Sequence, residues 1–353
     1  MIKALLLGTL LSASVVVADE QGAKSLIAKF ERETEAFLSQ LKAAPDIAAR
    51  RELWSQAPNR EEFGKLLGRE LDGGWRDPWF LDYAPILLEK APEYSIRAIE
   101  GAPEATPLTL IRDSAERFHF ENEKVGRLVL ALTIDTGPTT RAFIEKVERE
   151  HPSKKVQGQA ALALAFLSRE LGDGGEVARF KAQRLAWVRK AIIESANVEY
   201  NGVSVGDLAN EFLFAITRLD KGMSAPELLG WNVSGDAMRL SDFRGKPVVL
   251  VFWHTRMEAA EETLAFMRKI EERLGPKGVA VLGVASEDST ALRPLVKEEI
   301  VTWQNWIDDK GELAKTYQIR NYPASWVLDK EGQVCFRGVP GAFVELTAEA
   351  LVR

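Results

Sequence analysis

The chain has 353 residues, of which 46% are hydrophobic and 28% are charged, a composition typical of globular proteins. This length is enough for roughly two domains. The formal net charge of −6 argues against a basic surface that binds nucleic acid. The single cysteine, Cys335, excludes a disulfide within the chain.

Residues 1–18 have the pattern of a secretory signal peptide. Lys3 supplies a positive charge ahead of the apolar run from Ala4 to Val17, and the small residue Ala18 precedes Asp19. A short membrane anchor is the alternative, but the run is shorter than the ~20 apolar residues that a span needs. We therefore expect residues 1–18 to be cleaved. The mature chain, with no predicted membrane span, should be exported and either periplasmic or secreted.

Residues 19–200 have helical periodicity throughout. Leu26, Phe30, Phe37 and Leu41 recur at the spacing of one helix face, and a later segment has small apolar residues over 160–167 that predict close helix packing. This pattern predicts an all-α domain built of helix pairs, followed by a connector over residues 201–223 that contains a last helix. A repeat stack with a binding face and an irregular helical domain both stay open, because no fixed period is present.

Beyond the connector, the pattern changes to short apolar runs that alternate with helical segments. The runs "PVVLVFW", "GVAVLGVAS", "IVTWQNWI", "SWVLDK" and "QVCFRG" read as strands. Helices are predicted between them, the first from Glu258 to Leu274. This alternation predicts an α/β layer with a partly parallel sheet, and the last two strands flank a hairpin turn at residues 330–332.

Two long segments of this region resemble the thioredoxin-fold domain of the TlpA/redoxin (AhpC/TSA-like) family. They are "GMSAPELLGWNVSGDAMRLSDFRGKPVVLVFW" over 222–253 and "GELAKTYQIRNYPASWVLDKEGQV" over 311–334. The resemblance covers Ser224 to about Gly338. It implies a multidomain chain in which the all-α N-terminal domain precedes an α/β thioredoxin-like fold over residues 224–353. It also implies descent from thiol-disulfide oxidoreductases.

The family's reactive cysteines are missing from the matching positions. In the family, the strand ends in a Trp-Cys-x-x-Cys sequence, and the helix starts at the first cysteine. Aligned on Phe252 and Trp253, that pattern places Arg256 at the active-site tryptophan, Met257 at the first cysteine and Ala260 at the second. Disulfide exchange needs a thiolate to attack sulfur and a second thiol to resolve the mixed disulfide. A thioether and a methyl group do neither, so the resemblance implies a degenerate active site.

The family's proline segment is present as Tyr322-Pro323. The resemblance implies a cis bond here, facing the start of the helix, with its backbone offered to an extended substrate. Two interpretations stay open: the bend shapes only the loop, or it preserves a peptide-binding edge that works by strand addition. The candidates for partner contact lie in this loop and at the end of the strand "PVVLVFW". They are Trp253, His254, Thr255, Arg256, Tyr322 and Pro323.

Cys335 and His254 are the remaining residues with reactive chemistry. Cys335 lies in the strand after the hairpin turn, where a buried small hydrophobic residue is expected and a monothiol role is the alternative. His254 and Arg256 together offer a hypothetical site for hydrolysis or group transfer. His119, His151 and His254 have no metal-ligand spacing. Trp303, Trp306 and Trp326 fit either an aromatic core or a docking surface.

These observations predict an exported protein whose thioredoxin-like domain has lost its chemistry. We expect a non-catalytic module that binds a protein partner or has a structural role, with no cofactor. One alternative is a thiol-disulfide oxidoreductase that acts through Cys335 or through a thiol of its partner. The other is a new hydrolytic or transfer activity at His254 and Arg256.

Overall fold

A computed structural model describes residues 19–168 and 177–353. The predicted signal peptide, residues 1–18, lies outside this range. In the described part of the chain, no helix combines the length and the apolar character required to cross a bilayer.

The helices and strands follow the predicted order, helical first and then mixed. The helices are α1 (Glu20–Ala43), α2 (Ile47–Trp54), α3 (Arg60–Leu71), α4 (Phe80–Lys90), α5 (Pro92–Ser95), α6 (Pro107–Phe118), α7 (Val125–Ala131), α8 (Pro138–Glu150), α9 (Lys154–Leu167), α10 (Val177–Ser195), α11 (Val205–Arg218), α12 (Ala260–Leu274), α13 (Ser289–Lys297), α14 (Glu312–Thr316) and α15 (Ala342–Ala350). The strands are β1 (Glu199–Tyr200), β2 (Val203–Ser204), β3 (Leu229–Trp231), β4 (Ala237–Arg239), β5 (Val248–Trp253), β6 (Ala280–Ala285), β7 (Gln304–Ile307), β8 (Ala324–Leu328) and β9 (Val334–Gly338).

The chain divides into two compact units. The first holds the described residues of Met1–Glu33, Pro58–Glu176 and Arg189–Val205, and the second holds Thr34–Ala57, Val177–Val188 and Gly206–Arg353. The second unit therefore includes the end of α1 and all of α2, which come from the helical half of the sequence. The predicted domain limits, at residues 200 and 224, stay a prediction.

The first unit is helical, as the sequence predicts. Helix α9 packs against α7 and α8, and its residues from Val156 to Ala165 are buried. The small side chains of this helix permit the close approach of its neighbours. At Gly126 on α7, an added Cβ would lie 1.9 Å from the side-chain oxygen of Gln159, so only glycine allows this contact.

The second unit is built on a five-stranded sheet with the order β7-β6-β5-β8-β9. Strands β5, β6 and β7 are parallel, whereas β8 runs antiparallel to β5 and pairs with β9 in the predicted hairpin. The central strand β5 is buried along its whole length. This accords with the continuous apolar run in its sequence, because a strand covered on both faces needs no polar alternation.

Each face of the sheet carries its own hydrophobic core. One core joins Val249, Val251 and Trp253 of β5 to α12, α13 and α15. The other joins Leu250 and Phe252 to the tryptophans and the tyrosine of the opposite face. Successive side chains of a strand point to opposite faces, which explains how one strand supplies both cores.

The three late tryptophans belong to these cores. Trp303, Trp306 and Trp326 are at most 5% exposed. The indole N–H of Trp306 donates to the carbonyl of Met238 at 3.1 Å. Burying an aromatic side chain of this size contributes about 1.5–3 kcal/mol. The core interpretation is therefore correct for these residues.

Candidate functional site

The candidate site lies at the end of β5, where the chain turns into α12. The helix begins at Ala260, two residues later than predicted from the sequence. Met257 lies in the preceding turn, where its N–H bonds the carbonyl of His254 and its carbonyl accepts from the N–H of Ala260. Among the described residues, no side chain caps this helix end.

Both positions of the lost cysteines are buried. Met257 is 7% exposed and Ala260 is 3% exposed. Helix α2 lies over them, with Ile47 packed against the same core. The cavity left between α2 and this turn has a volume of about 20 Å³, enough for about one water molecule. Helix α2 therefore closes one side of this turn, while Met257 still lines the groove on the side of the proline loop.

A chain of polar contacts fixes α2 in this position. Arg50 donates to the hydroxyl of Thr255, and that hydroxyl donates to the Glu287 carboxylate at 2.6 Å. The backbone N–H of Thr255 donates to the same carboxylate oxygen. Arg50 also bonds the carbonyl of Ala44 at 3.0 Å. The hydroxyl thus links a cation and a buried carboxylate, which both need partners away from water.

Two of the predicted contact residues, Trp253 and Thr255, cannot meet a partner, because they are 0% and 2% exposed. The indole N–H of Trp253 donates to the side chain of Asn305 at 3.0 Å. Gly283 makes room for this bond, since a Cβ there would lie 1.7 Å from the Asn305 oxygen. Both residues have structural roles, and the assignment of partner contact to them is corrected.

His254 is half-buried beside the proline loop. Its ring meets that of Tyr322 edge-on, with 4.8 Å between the centroids. Burial lowers the pKa of His254 to about 4, and the cations of Arg256 and Arg50 act in the same direction. The imidazole is therefore neutral near pH 7. Its Nδ1 has no hydrogen-bond partner within residues 19–168 and 177–353.

The proline loop faces this turn, and its Tyr322-Pro323 bond is cis. The Tyr322 hydroxyl shares a 2.7 Å hydrogen bond with Ser286, which follows β6. Burial raises the pKa of Tyr322. The backbone groups of Asn321 and Tyr322 make no hydrogen bond to any described residue. These groups precede β8 and are available to an extended chain.

An open groove of about 600 Å³ runs between the loop, the turn and the end of α1. Its walls combine apolar, aromatic and charged side chains. The lining residues are Leu38, Leu41, Lys42, Trp54, His254, Arg256, Met257, Glu258, Arg320, Asn321 and Tyr322. The groove therefore brings His254, Arg256 and Tyr322 together and adds side chains from α1 and α2.

Cys335 lies away from this groove. It sits at a bulge in β9, opposite the far end of β8 from the loop. At the usual rise per strand residue, this places it roughly 15 Å from Pro323. The thiol is half-buried rather than fully buried, and burial raises the pKa of Cys335. Neither its place nor its ionisation suits attack on a chain held at the loop.

The histidines of the first unit are held by local bonds. His119 bonds the carbonyl of Trp75 at 2.8 Å, and His151 accepts from the N–H of Ser153 at 3.0 Å. In the described ranges, no group of three or more histidine, cysteine, aspartate or glutamate side chains has the arrangement of a metal site.

The sequence analysis missed several residues of this site, among them Glu287, Lys42, Arg50 and Trp54. Glu287 follows the buried strand β6, and its position at a strand end is a signal that could have identified it. Lys42, Arg50 and Trp54 offer no such signal. Arg50 and Thr255 are 205 positions apart, and a single sequence does not indicate that α2 packs on this turn.

A family model for the AhpC/TSA family matches residues 222–337. The thiol-disulfide oxidoreductase ResA of Bacillus thuringiensis subsp. konkukian is 31% identical over 118 residues, which span 33% of this chain and 68% of that protein. The thioredoxin-like protein YneN of Bacillus subtilis is 28% identical over 120 residues, with 33% and 69% covered. The matched region contains the turn, the proline loop and Cys335.

Solved structures include similar chains. The thioredoxin domain of a thiol-disulfide oxidoreductase from Bacteroides vulgatus is 23% identical, with a TM-score of 0.35, and covers 38% of this chain and 99% of its own.

Proposed function

The chain belongs to the AhpC/TSA family, and we propose that its thioredoxin-like domain is a non-catalytic module that binds an extended segment of a partner protein. The domain would keep the fold of a disulfide reductase without the thiols that carry out disulfide exchange. The binding site would be the groove beside Tyr322 and Pro323.

One observation carries the loss of activity: the two positions that need thiols hold Met257 and Ala260. A thioether has no proton to lose and an alanine methyl cannot resolve a mixed disulfide, so neither half of the exchange reaction can start. The cover formed by α2 supports the same conclusion. On the side that α2 covers, Ile47 and Arg50 line the narrow cavity beside Met257, and on the groove side the position offers only a thioether.

Peptide binding is supported by the free backbone groups of the proline loop, within the described residues, and by the groove beside them. The backbone groups of Asn321 and Tyr322 are unpaired within the described residues, and they border a groove large enough for several side chains. Extended peptides gain affinity from such main-chain bonds and specificity from adjacent pockets. Trp54 and Tyr322 supply aromatic walls, which often dominate the energy of such contacts.

The alternative activities have less support. Cys335 is on the wrong strand for the loop, and its raised pKa reduces the thiolate at neutral pH. A general base needs an orienting partner and a pKa near the working pH. His254 has a pKa lowered to about 4 and, in the part of the chain that the structure describes, no partner at Nδ1.

The binding proposal is tested by fluorescence anisotropy with short labelled peptides that contain no cysteine and have blocked ends. The mature chain, from Asp19 onward, should bind a peptide rich in apolar and polar residues. W54A/Y322A should weaken binding by about tenfold or more, since these rings form the walls. Trp231→Ala is the matched control, because Trp231 is an aromatic residue with 66% exposure on a different surface. Equal affinity in all three proteins would refute the proposal.

Loss of catalysis is tested separately by insulin reduction. The wild-type chain and Cys335→Ser should both remain at the background rate. Turnover that depends on Cys335 would instead support the oxidoreductase alternative.

Export is part of the proposal. Lys3, the apolar run and Ala18 support cleavage after residue 18. N-terminal sequencing of the protein from the envelope fraction should give Asp19 as the first residue, and an intact Met1 there would contradict it.

A further inference from the structure

The charges of the groove indicate which peptides it takes. Lys42 and Arg256 line it, and neither forms an ion pair or hydrogen bond with any described residue. Arg320 is already matched, since it donates to the carboxylate of Glu211 at 2.6 Å. Glu258 contributes a carboxylate to the groove wall, and Asp288, outside this lining, lies near enough to Arg256 for that cation to help lower the pKa of its carboxyl. The groove is therefore positive in a chain whose formal net charge is −6.

Charged groups of both signs lie behind the groove wall, because the Thr255 hydroxyl joins Arg50 to the Glu287 carboxylate. Arg50 lies behind the wall, bonded to the Thr255 hydroxyl. Arg256 and Arg50 both help to lower the pKa of His254, which shows that their field reaches the imidazole. Unlike-charge steering is effective in clefts with low-dielectric walls, where solvent screens less than on a flat surface.

The same groove has an apolar strip. Leu38 is 53% exposed on α1, beside Leu41 and Met257. The ring of Trp54 stands next to this strip and packs edge-on against Phe37, with 5.1 Å between the centroids. The groove lining therefore holds both cations and apolar side chains, which suits a segment with acidic and apolar side chains in close succession.

We infer that the groove selects acidic peptide segments, with an aspartate or glutamate held by Lys42 and Arg256 and a neighbouring apolar side chain placed on Leu38 and Trp54. This inference rests on the proposed peptide-binding function and adds the chemical class of the partner segment. Neutral segments of the same shape would bind through the apolar strip and the loop backbone alone. Basic segments would be repelled by Lys42 and Arg256.

The test uses three labelled peptides that share one apolar framework and carry glutamate, glutamine or lysine at the alternate positions. The full mature chain should bind the glutamate peptide about tenfold more tightly than the glutamine peptide, with the lysine peptide weakest. The advantage of the glutamate peptide should shrink as salt is added, because the two cations border an open groove.

Two variants locate the preference. K42Q/R256Q should bind the glutamate and glutamine peptides equally, while its affinity for the glutamine peptide stays at the wild-type level. Lys277→Gln is the matched control: Lys277 is an exposed lysine beyond the C-terminal end of α12, a helix about 22 Å long. It should keep the full preference. If the double variant fails to fold, Lys42→Gln alone, at the exposed end of α1, should remove part of the preference.

The outcomes separate this inference from the function on which it rests. If all three peptides bind equally, the acidic selectivity is wrong and peptide binding stands. If the preference survives in K42Q/R256Q, these cations are not its source and the inference is also wrong. If no peptide binds at all, both the inference and the proposed function fail.

Discussion

The two sides of the ancestral redox site differ in what they have kept. At the start of α12, the reactive atoms are gone, and α2 covers Met257 and Ala260. At the proline loop, Asn321 and Tyr322 border an open groove, and their backbone groups have no partner among residues 19–168 and 177–353. If the proposed peptide binding holds, recognition and chemistry are separable in this fold, because a peptide would dock on backbone and walls whereas exchange depends on two sulfur atoms.

Restoring the sulfur atoms tests this contrast most strongly. M257C/A260C should form a disulfide and exchange with a small disulfide at more than tenfold the wild-type rate, because a free thiol at this helix end becomes nucleophilic. Insulin reduction should rise less than exchange with the small disulfide, since α2 covers one side of the turn and insulin can enter only through the groove. M257S/A260S is the control and should show no exchange.

The role of α2 is tested by shortening the α2 side chains that lie over the turn in the M257C/A260C protein. Adding I47A/R50A should raise insulin reduction by about tenfold while exchange with the small disulfide changes little. A folded M257C/A260C protein that forms no disulfide would mean that the turn has changed shape as well as chemistry. Equal insulin reduction with and without the α2 changes would show that the helix is no barrier.

The buried contacts beneath the turn should carry the next largest effect. Thr255→Val removes the hydroxyl that links Arg50 to Glu287, leaving two charged groups short of a partner. We expect a loss of about 1–3 kcal/mol in the free energy of unfolding, measured with urea. Thr263→Val is the matched control, because its buried hydroxyl donates only to the carbonyl of Ala259 in the first turn of α12. A loss no greater than that of the control would contradict the role given to this network.

The predicted and missed features of this site differ in how far apart their residues lie in the sequence. Strand β5, the loss of both thiols and the proline loop are encoded in short segments, so the family pattern and the apolar runs predict them. The late start of α12 and the half-buried position of Cys335 depend on local backbone geometry. The alternation of apolar and polar residues in the sequence does not specify that geometry. The groove depends on Lys42, Arg50 and Trp54 meeting residues more than 200 positions away. No local pattern encodes that contact.

The pH dependence of stability should report the environment of His254. Its folded pKa of about 4 lies below the ordinary value of 6.5, so the unfolded chain binds more protons between these two pH values. Stability therefore falls as pH drops from 6.5 toward 4. At about pH 5 the loss due to this group should be about 1–2 kcal/mol.

His254→Gln should flatten this part of the curve of unfolding free energy against pH, with little change above pH 7. His151→Gln, at a histidine of the first unit, is the comparison variant and should leave this slope in place. An unchanged slope in His254→Gln would show that the imidazole protonates as easily in the folded chain as in the unfolded one.

The smallest expected effect is on the reaction rate of the Cys335 thiol. It tests whether this thiol is accessible and reactive in the folded protein. Burial raises the pKa of this thiol, so the thiolate fraction at neutral pH is smaller than in an unfolded chain. Reaction with a thiol reagent should therefore be severalfold slower in the native protein than in urea. The difference should narrow as pH rises toward the thiol pKa. Native Cys335 that reacts as fast as the unfolded thiol would contradict its half-buried placement, and it would return the monothiol alternative to consideration.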